Sequence, residues 1–382
     1  MPIMTMSIRG AAALVTGAVL TASLLLAAPA VADEAVVSTA PPAVTGTAQL
    51  EQTLTAQPGT WTPGDVSFSY QWLRNGAPVG TDSPANTTRA LSDVADVGTT
   101  YAVRVTGTRP GAAPVSVTSA PTGPVAKGTF ASTRPPSITG SPKYGRKLTG
   151  RTGSFSRRAD LDYRWLRDGR PIGGAKGRHH RVRSADVGHR ITFRVKASRP
   201  GFSTVTAVSQ ARTATNLRSV RKTVTYSVRT RGSVSASVAT FKRLAQETYD
   251  DPRGWRAMGV RFKRVSSGGD FTLWLSQASK VPSFSSACST TYSCRVGRNV
   301  VINETRWQRA TPAWDDRDGT LRDYRHMVVN HETGHWFGRG HVSCGGKGQK
   351  APVMQQQSKG LKGCSINPWP KSNELHAPRY GW

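Results

Sequence analysis

Two stretches about ninety residues apart are near copies: YQWLRNGAPVG at 70–80 and YRWLRDGRPIG at 163–173. A second pair follows at the same spacing, ADVGTTYAVRVTGTRPG at 95–111 and ADVGHRITFRVKASRPG at 185–201. A repeated block of this length must close a core of its own, which limits the first half of the chain to two similar modules. Within each copy apolar residues alternate with polar ones, as in Tyr101, Val103, Val105 and Ile191, Phe193, Val195. Gly, Pro, Asn and Asp separate these runs. That is the signature of half-buried strands joined by turns, hence of a small antiparallel sandwich. Trp72 and Trp165, at matching places, are expected to fill the two cores.

The pair resembles the immunoglobulin-like repeats of exported bacterial proteins, through the Y-x-W-L-R-x-G block followed by A-D-V-G. The boundaries expected are 36–125 and 130–213. Neither copy contains cysteine, so the inter-sheet disulfide of antibody domains is absent. Such modules serve as spacers or as binding elements, and fold does not choose between the two.

Ahead of the repeats, Arg9 precedes an apolar run that ends in Ala30, Val31, Ala32, the small-x-small pattern of a secretory cleavage site. Residues 1–32 are therefore read as a signal peptide, with the mature chain starting near Asp33. No later apolar run is long enough to cross a bilayer, so no stable membrane insertion is expected after cleavage. The expected location is extracellular, with cell-wall association as one form of it.

In an oxidising compartment the four cysteines, Cys288, Cys294, Cys344 and Cys364, read as disulfides. Cys288–Cys294 with Cys344–Cys364 is the simplest of three pairings, and the sequence leaves the others open. No C-x-x-C pair suggests a cysteine-ligated zinc.

The formal charge of +30 is uneven. Residues 33–128 hold 5 basic and 7 acidic side chains, 129–216 hold 19 and 4, and 217–382 hold 27 and 11. Such a surface attracts polyanions in a salt-dependent way. Outside a cell, anionic wall polymers and acidic proteins are the candidates, and nucleic acid is not expected.

Beyond residue 217 the periodicity changes. VTYSVRT (224–230), GVRFKRV, FTLWLS and NVVINET (299–305) read as strands and 233–250 as a helix. A last helix is expected from Leu321 to Phe337, with Thr320 as N-cap and Asp323 completing a capping-box pattern. The fold class expected is thus two all-β sandwiches followed by an α+β (α/β) domain over 217–382.

That last helix leads into HETGHWFGRGH, 331–341. Four residues apart on one helical face, His331 and His335 can aim ring nitrogens at a single ion. The same stripe bears Tyr324, Met327 and Val328, so the ligand face is the buried one. Gly338 stands where a left-handed residue can end the helix, and His341 can then complete a three-nitrogen set with one position free. Glu332 can reach a water on the metal without ligating it.

The pattern H-E-x-x-H-x-x-G-x-x-H is similar to the signature of the metzincin zinc peptidases. That resemblance implies a zincin-like catalytic domain, one catalytic Zn²⁺, and Met354 of APVMQQ as the methionine of a turn beneath the metal. It also implies a twisted sheet whose edge strand aligns an extended peptide substrate, with NVVINET as the candidate. Some members carry a tyrosine two residues after the methionine; here Gln356 stands there, so no tyrosine is assigned. No cysteine is placed to block the metal in a latent form.

On this reading the chain is a secreted zinc endopeptidase in which Glu332 is the general base. Two alternatives stand beside it: a cell-wall peptide amidase, and a non-catalytic wall-binding or adhesion protein with a structural zinc site. The acidic run Asp315, Asp316, Asp318 lacks the glycine and glutamate of an EF-hand and is read as acidic residues ahead of a helix.

Overall fold

The computed structural model describes residues 34–382; the expected signal segment lies outside them. The chain divides into two compact units between Gly128 and Thr129.

The first unit holds the first repeat. Strand Ser67–Arg74 pairs antiparallel with Ala77–Ser83 and with Tyr101–Thr108, and the latter pairs with Val115–Thr118. Ala43–Thr45, Thr53–Gln57 and Thr88–Ala90 form a second sheet. The two-residue period is realised as expected, with Tyr101, Val103 and Val105 all fully buried. Trp72 is buried in this core, its indole N–H donating to the Asn86 carbonyl at 2.9 Å. The A-D-V-G block works through Asp96, whose buried carboxylate accepts from the Tyr101 hydroxyl at 2.6 Å and from the Asp93 amide.

The second repeat opens the second unit and repeats this plan. Asp160–Arg167 pairs with Arg190–Ser198 along its whole length, and Trp165 is fully buried with its N–H on the Gly177 carbonyl at 2.9 Å. Asp186, the counterpart of Asp96, accepts from Arg167 (2.7 Å) and the Arg183 amide (2.7 Å) and lies 2.7 Å from His180 Nε2. Both copies are immunoglobulin-like β-sandwiches.

The same unit continues into a five-stranded mixed sheet. Its strands are β1 (Lys222–Arg231), β2 (Val260–Arg264), β3 (Phe271–Ser276), β4 (Cys294–Val296) and β5 (Asn299–Asn303), in the order β2-β1-β3-β5-β4. All neighbours are parallel except β4, which runs antiparallel to β5. Helices α1 (Val238–Asp250), α2 (Glu304–Arg309), α3 (Pro312–Asp315) and α4 (Leu321–Trp336) accompany it. Phe241, Leu244, Ala245 and Tyr249 of α1 share one buried core with Tyr226, Phe271, Met327 and Trp336.

Three sequence expectations need correction. Residues 233–237 are not helical: the Ser235 and Ala236 amides donate to the Glu304 carboxylate and the Ser233 amide to Gln277, so α1 begins only after the Ser237 N-cap. NVVINET ends as a strand at Asn303, whose side chain caps α2. It is also not the edge. The chain leaving β4 turns at Gly297–Arg298, and β4 covers the outer side of β5.

Helix α4 spans Leu321–Trp336, with the Thr320 hydroxyl accepting from the Asp323 amide at 3.0 Å. Asp323 turns its carboxylate to that hydroxyl (2.8 Å). Cys288 pairs with Cys294 and Cys344 with Cys364. Among the described residues, no helix is long and apolar enough to cross a membrane.

Candidate metal centre

The end of α4 is fixed by glycine. Gly338 takes a φ of +90°, its amide donates to the His335 carbonyl (3.0 Å), and the Arg339 amide reaches back to Gly334 (3.1 Å). These are the two bonds of a Schellman turn, which reverses the chain toward His341.

The three histidines converge. His335 Nε2 lies 3.2 Å from His331 Nε2 and 3.1 Å from His341 Nε2, and ligand atoms from all three fall within 4.8 Å of one another. The opposite ring nitrogens settle the tautomer of two of them. His331 Nδ1–H donates to the Val353 carbonyl and His335 Nδ1–H to the Arg339 carbonyl, each at 2.8 Å. With the proton on Nδ1, the Nε2 lone pairs face one another at close range, an arrangement that repels unless a cation lies among them. Two donors on a tetrahedral zinc, each at about 2.05 Å, stand about 3.3 Å apart, close to the spacing seen. The residues fit the ion.

Burial keeps the rings neutral, the form that ligates. It pushes His331 down to about 3, aided by His335, and His335 down to about 4; His341 is lowered as well, by burial and by Lys359. Burial raises the Glu332 carboxyl to about 8, against a smaller opposing pull from Arg295. A divalent ion beside it would draw that carboxyl back toward the charged form a base requires.

A cleft of about 360 Å³ opens on this group. Besides α4 and His341, its lining comes from 287–295, including both cysteines of the Cys288–Cys294 bridge, and from 356–359. The edge strand β4 sends Arg295 to the end of α4, where its Nη2 donates to the His335 carbonyl at 2.6 Å.

Met354 is fully buried against α4. A Cβ on Gly334 would come within 2.2 Å of its sulfur, so the glycine permits this approach. Glu374, itself buried, accepts the amides of Val353 and Met354 at 2.9 Å each and thereby holds the carbonyl that orients His331.

Residues 196–373 match a family described as "Protein of unknown function (DUF3152)". No curated protein matches the chain. Solved structures similar to it include the three N-terminal domains of the bacteriophage RB49 Highly Immunogenic Outer Capsid protein. That match has 17% identity and a TM-score of 0.23, and covers 50% of this chain and 65% of that one. A Ca²⁺-stabilised adhesin by which an Antarctic bacterium binds ice matches with 14% identity and a TM-score of 0.23, over 49% and 52% of the two chains. An amphioxus IgVJ-C2 molecule matches with 18% identity and a TM-score of 0.22, over 44% and 98%. The chain thus spans less than two thirds of the first two.

The identification with metzincin peptidases is corrected accordingly. The family matched over the histidine-bearing region, 196–373, carries no peptidase description.

The three histidines and Glu332 line one cleft, Gly338 ends the helix that bears two of the rings, and Met354 packs against Gly334 of that helix. The sequence reading missed Arg295, Tyr292, Lys359, Gly334 and Glu374. Only Gly334, a glycine inside an otherwise helical pattern, carried a local signal of close approach.

Proposed function

We propose that the region 217–382 is a zinc-dependent hydrolase of peptide or amide bonds, in a chain exported from the cell. The observation that carries this reading is the convergence of three neutral imidazoles, two with their tautomer fixed from behind, beside a buried carboxyl that lines the same open cleft.

His331, His335 and His341 would hold one Zn²⁺, which when bound supplies Lewis acidity toward a carbonyl and acidifies water. Glu332 lines the cleft next to the first ligand, where it can take a proton during attack and return it to the departing amine. The Val353 and Arg339 carbonyls keep the rings aimed, so little reorganisation is needed on binding. Protein, peptide and cell-wall peptide are the substrates this chemistry admits.

A second reading is favoured by the repeats. With 19 basic against 4 acidic residues, segment 129–216 suits an anionic wall polymer, and the chain would then be a wall-binding or adhesion protein with a structural zinc site.

The deciding experiment measures metal content of the mature chain, and hydrolysis of casein and of purified cell wall with and without a chelator. Stoichiometric zinc, chelator-sensitive cleavage and its loss in Glu332→Gln with zinc retained are expected. Zinc bound with no hydrolysis of either substrate, alongside retention on cell wall, would leave only the second reading.

A further inference from the structure

The cleft beside the histidines is electrically one-sided. Apart from the three rings, its ionisable lining residues are Glu332, Tyr292, Arg295 and Lys359. The carboxyl belongs to the proton-transfer step, which leaves two cations facing whatever enters.

They come from two separate segments of the lining, 287–295 and 356–359. Arg295 is anchored by its bond to the His335 carbonyl, and its buried Nε has no hydrogen-bond partner among the described residues. Lys359 is exposed, and its ammonium lies 5.3 Å from the centre of the Tyr292 ring, so this contact joins the two segments. With a divalent ion on neutral imidazoles, the cleft carries a net positive charge that one carboxylate does not offset. A neutral or basic peptide gains nothing from this, whereas an acidic one replaces lost hydration with charge-assisted hydrogen bonds.

We infer that the cleft selects peptides bearing a carboxylate close to the scissile bond, and that Arg295 and Lys359 are the residues that set this preference. The inference rests on the hydrolase reading and names its substrate class.

The test uses the zinc-loaded mature chain and one peptide scaffold carrying Glu, Gln or Lys at each position flanking the cut. Glu is expected to exceed Gln in kcat/KM by about tenfold, the worth of one hydrogen bond to a charged group, with Lys lowest. Lys359→Glu should invert the order of Glu and Lys. Arg295→Gln, which keeps a donor toward the His335 carbonyl, should shrink the preference.

A readout independent of turnover comes from calorimetric binding of the Glu and Gln peptides to zinc-loaded Glu332→Gln, where the same order is expected. Equal cleavage and equal binding of the two peptides, or an unchanged preference in Lys359→Glu, would overturn the inference while leaving the hydrolase intact. If no peptide is cut, the hydrolase reading falls, and the binding comparison still decides whether the cleft prefers carboxylates.

Discussion

Replacing Gly334 by alanine tests how tightly the ligand helix is seated. On an exposed helix this change stabilises by about 1 kcal/mol, because alanine loses less backbone freedom. Here the added Cβ would meet Met354 Sδ at 2.2 Å and the Trp255 ring at 2.9 Å, where ordinary contact begins at 3.4 Å. The sulfur must retreat by roughly 1.2 Å, the difference between 3.4 and 2.2 Å.

Neither neighbour is free to yield. Met354 is wholly buried with its amide held by Glu374, and the Trp255 indole N–H is bonded to the Asn330 carbonyl at 3.0 Å. Overpacking in such a core costs about 1–3 kcal/mol. Two obstructed contacts place this site at the upper end, for a net loss of about 2 kcal/mol after the helical gain. In a unit of this size that lowers the melting temperature by roughly 4–8 °C, read by calorimetry on the zinc-loaded protein. Adding Met354→Ala should recover at least about 1 kcal/mol relative to the sum of the single changes. A Gly334→Ala protein as stable as the parent would refute the close seating of Met354 on α4.

Three further outcomes follow from particular contacts. Burial alone would raise Asp186, but bonds from His180, the Arg183 amide and Arg167 prevail and hold it at about 2, below its ordinary 3.8. A depressed carboxyl stabilises above the unfolded value and loses that contribution as pH falls from about 4 through 2, so Asp186→Asn should cost about 2 kcal/mol at neutral pH and flatten the acid limb of a stability titration. Cys344 and Cys364 close a loop of 20 residues, so their joint replacement by alanine should cost about 3 kcal/mol on chain-entropy grounds, measured by denaturant unfolding. Glu374→Gln sets an amide N–H against backbone donors and should weaken zinc affinity about tenfold or more in a chelator competition; affinity equal to the parent's would detach the Val353 turn from the aiming of His331.

What could be read from the chain was local. The sandwich repeats were legible because each closes its own core by strict alternation, and the histidine helix because its ligand spacing, N-cap and terminating glycine all lie within twenty-two residues, 320–341. The misreadings have two causes, a partner distant in sequence and an element too short to show a pattern. Residues 233–237 have a helix-compatible pattern, yet the Ser235 and Ala236 amides are taken by Glu304, 69 and 68 positions away, and the Ser233 amide by Gln277, 44 positions away. β4 is three residues long, too short for an alternation to register, so the sheet edge was assigned to the longer apolar run beside it. Arg295 joins the site across 40 positions and Glu374 across 20 and 21, neither with any local pattern to announce it.

The last stretch of the chain explains why a metal centre suits this architecture. From Arg339 to Trp382 regular structure is limited to two short 3₁₀ turns, and order comes from cross-links: the Cys344–Cys364 bridge, Glu374 on the Val353 and Met354 amides, and the Asn367 and Gln357 amides exchanged across ten positions. This segment supplies His341 and the carbonyls behind His331 and His335, whereas α4 supplies the two rings themselves. An ion bound at the convergence point would therefore tie helix to loop, and its binding free energy would add to the stability of the folded segment by mass action. On the proposed zinc reading, metal binding and the order of this loop would be coupled in one equilibrium, so changes at Gly334, Glu374 and the Cys344–Cys364 bridge, none of them a proposed ligand, should all register as changes in zinc affinity.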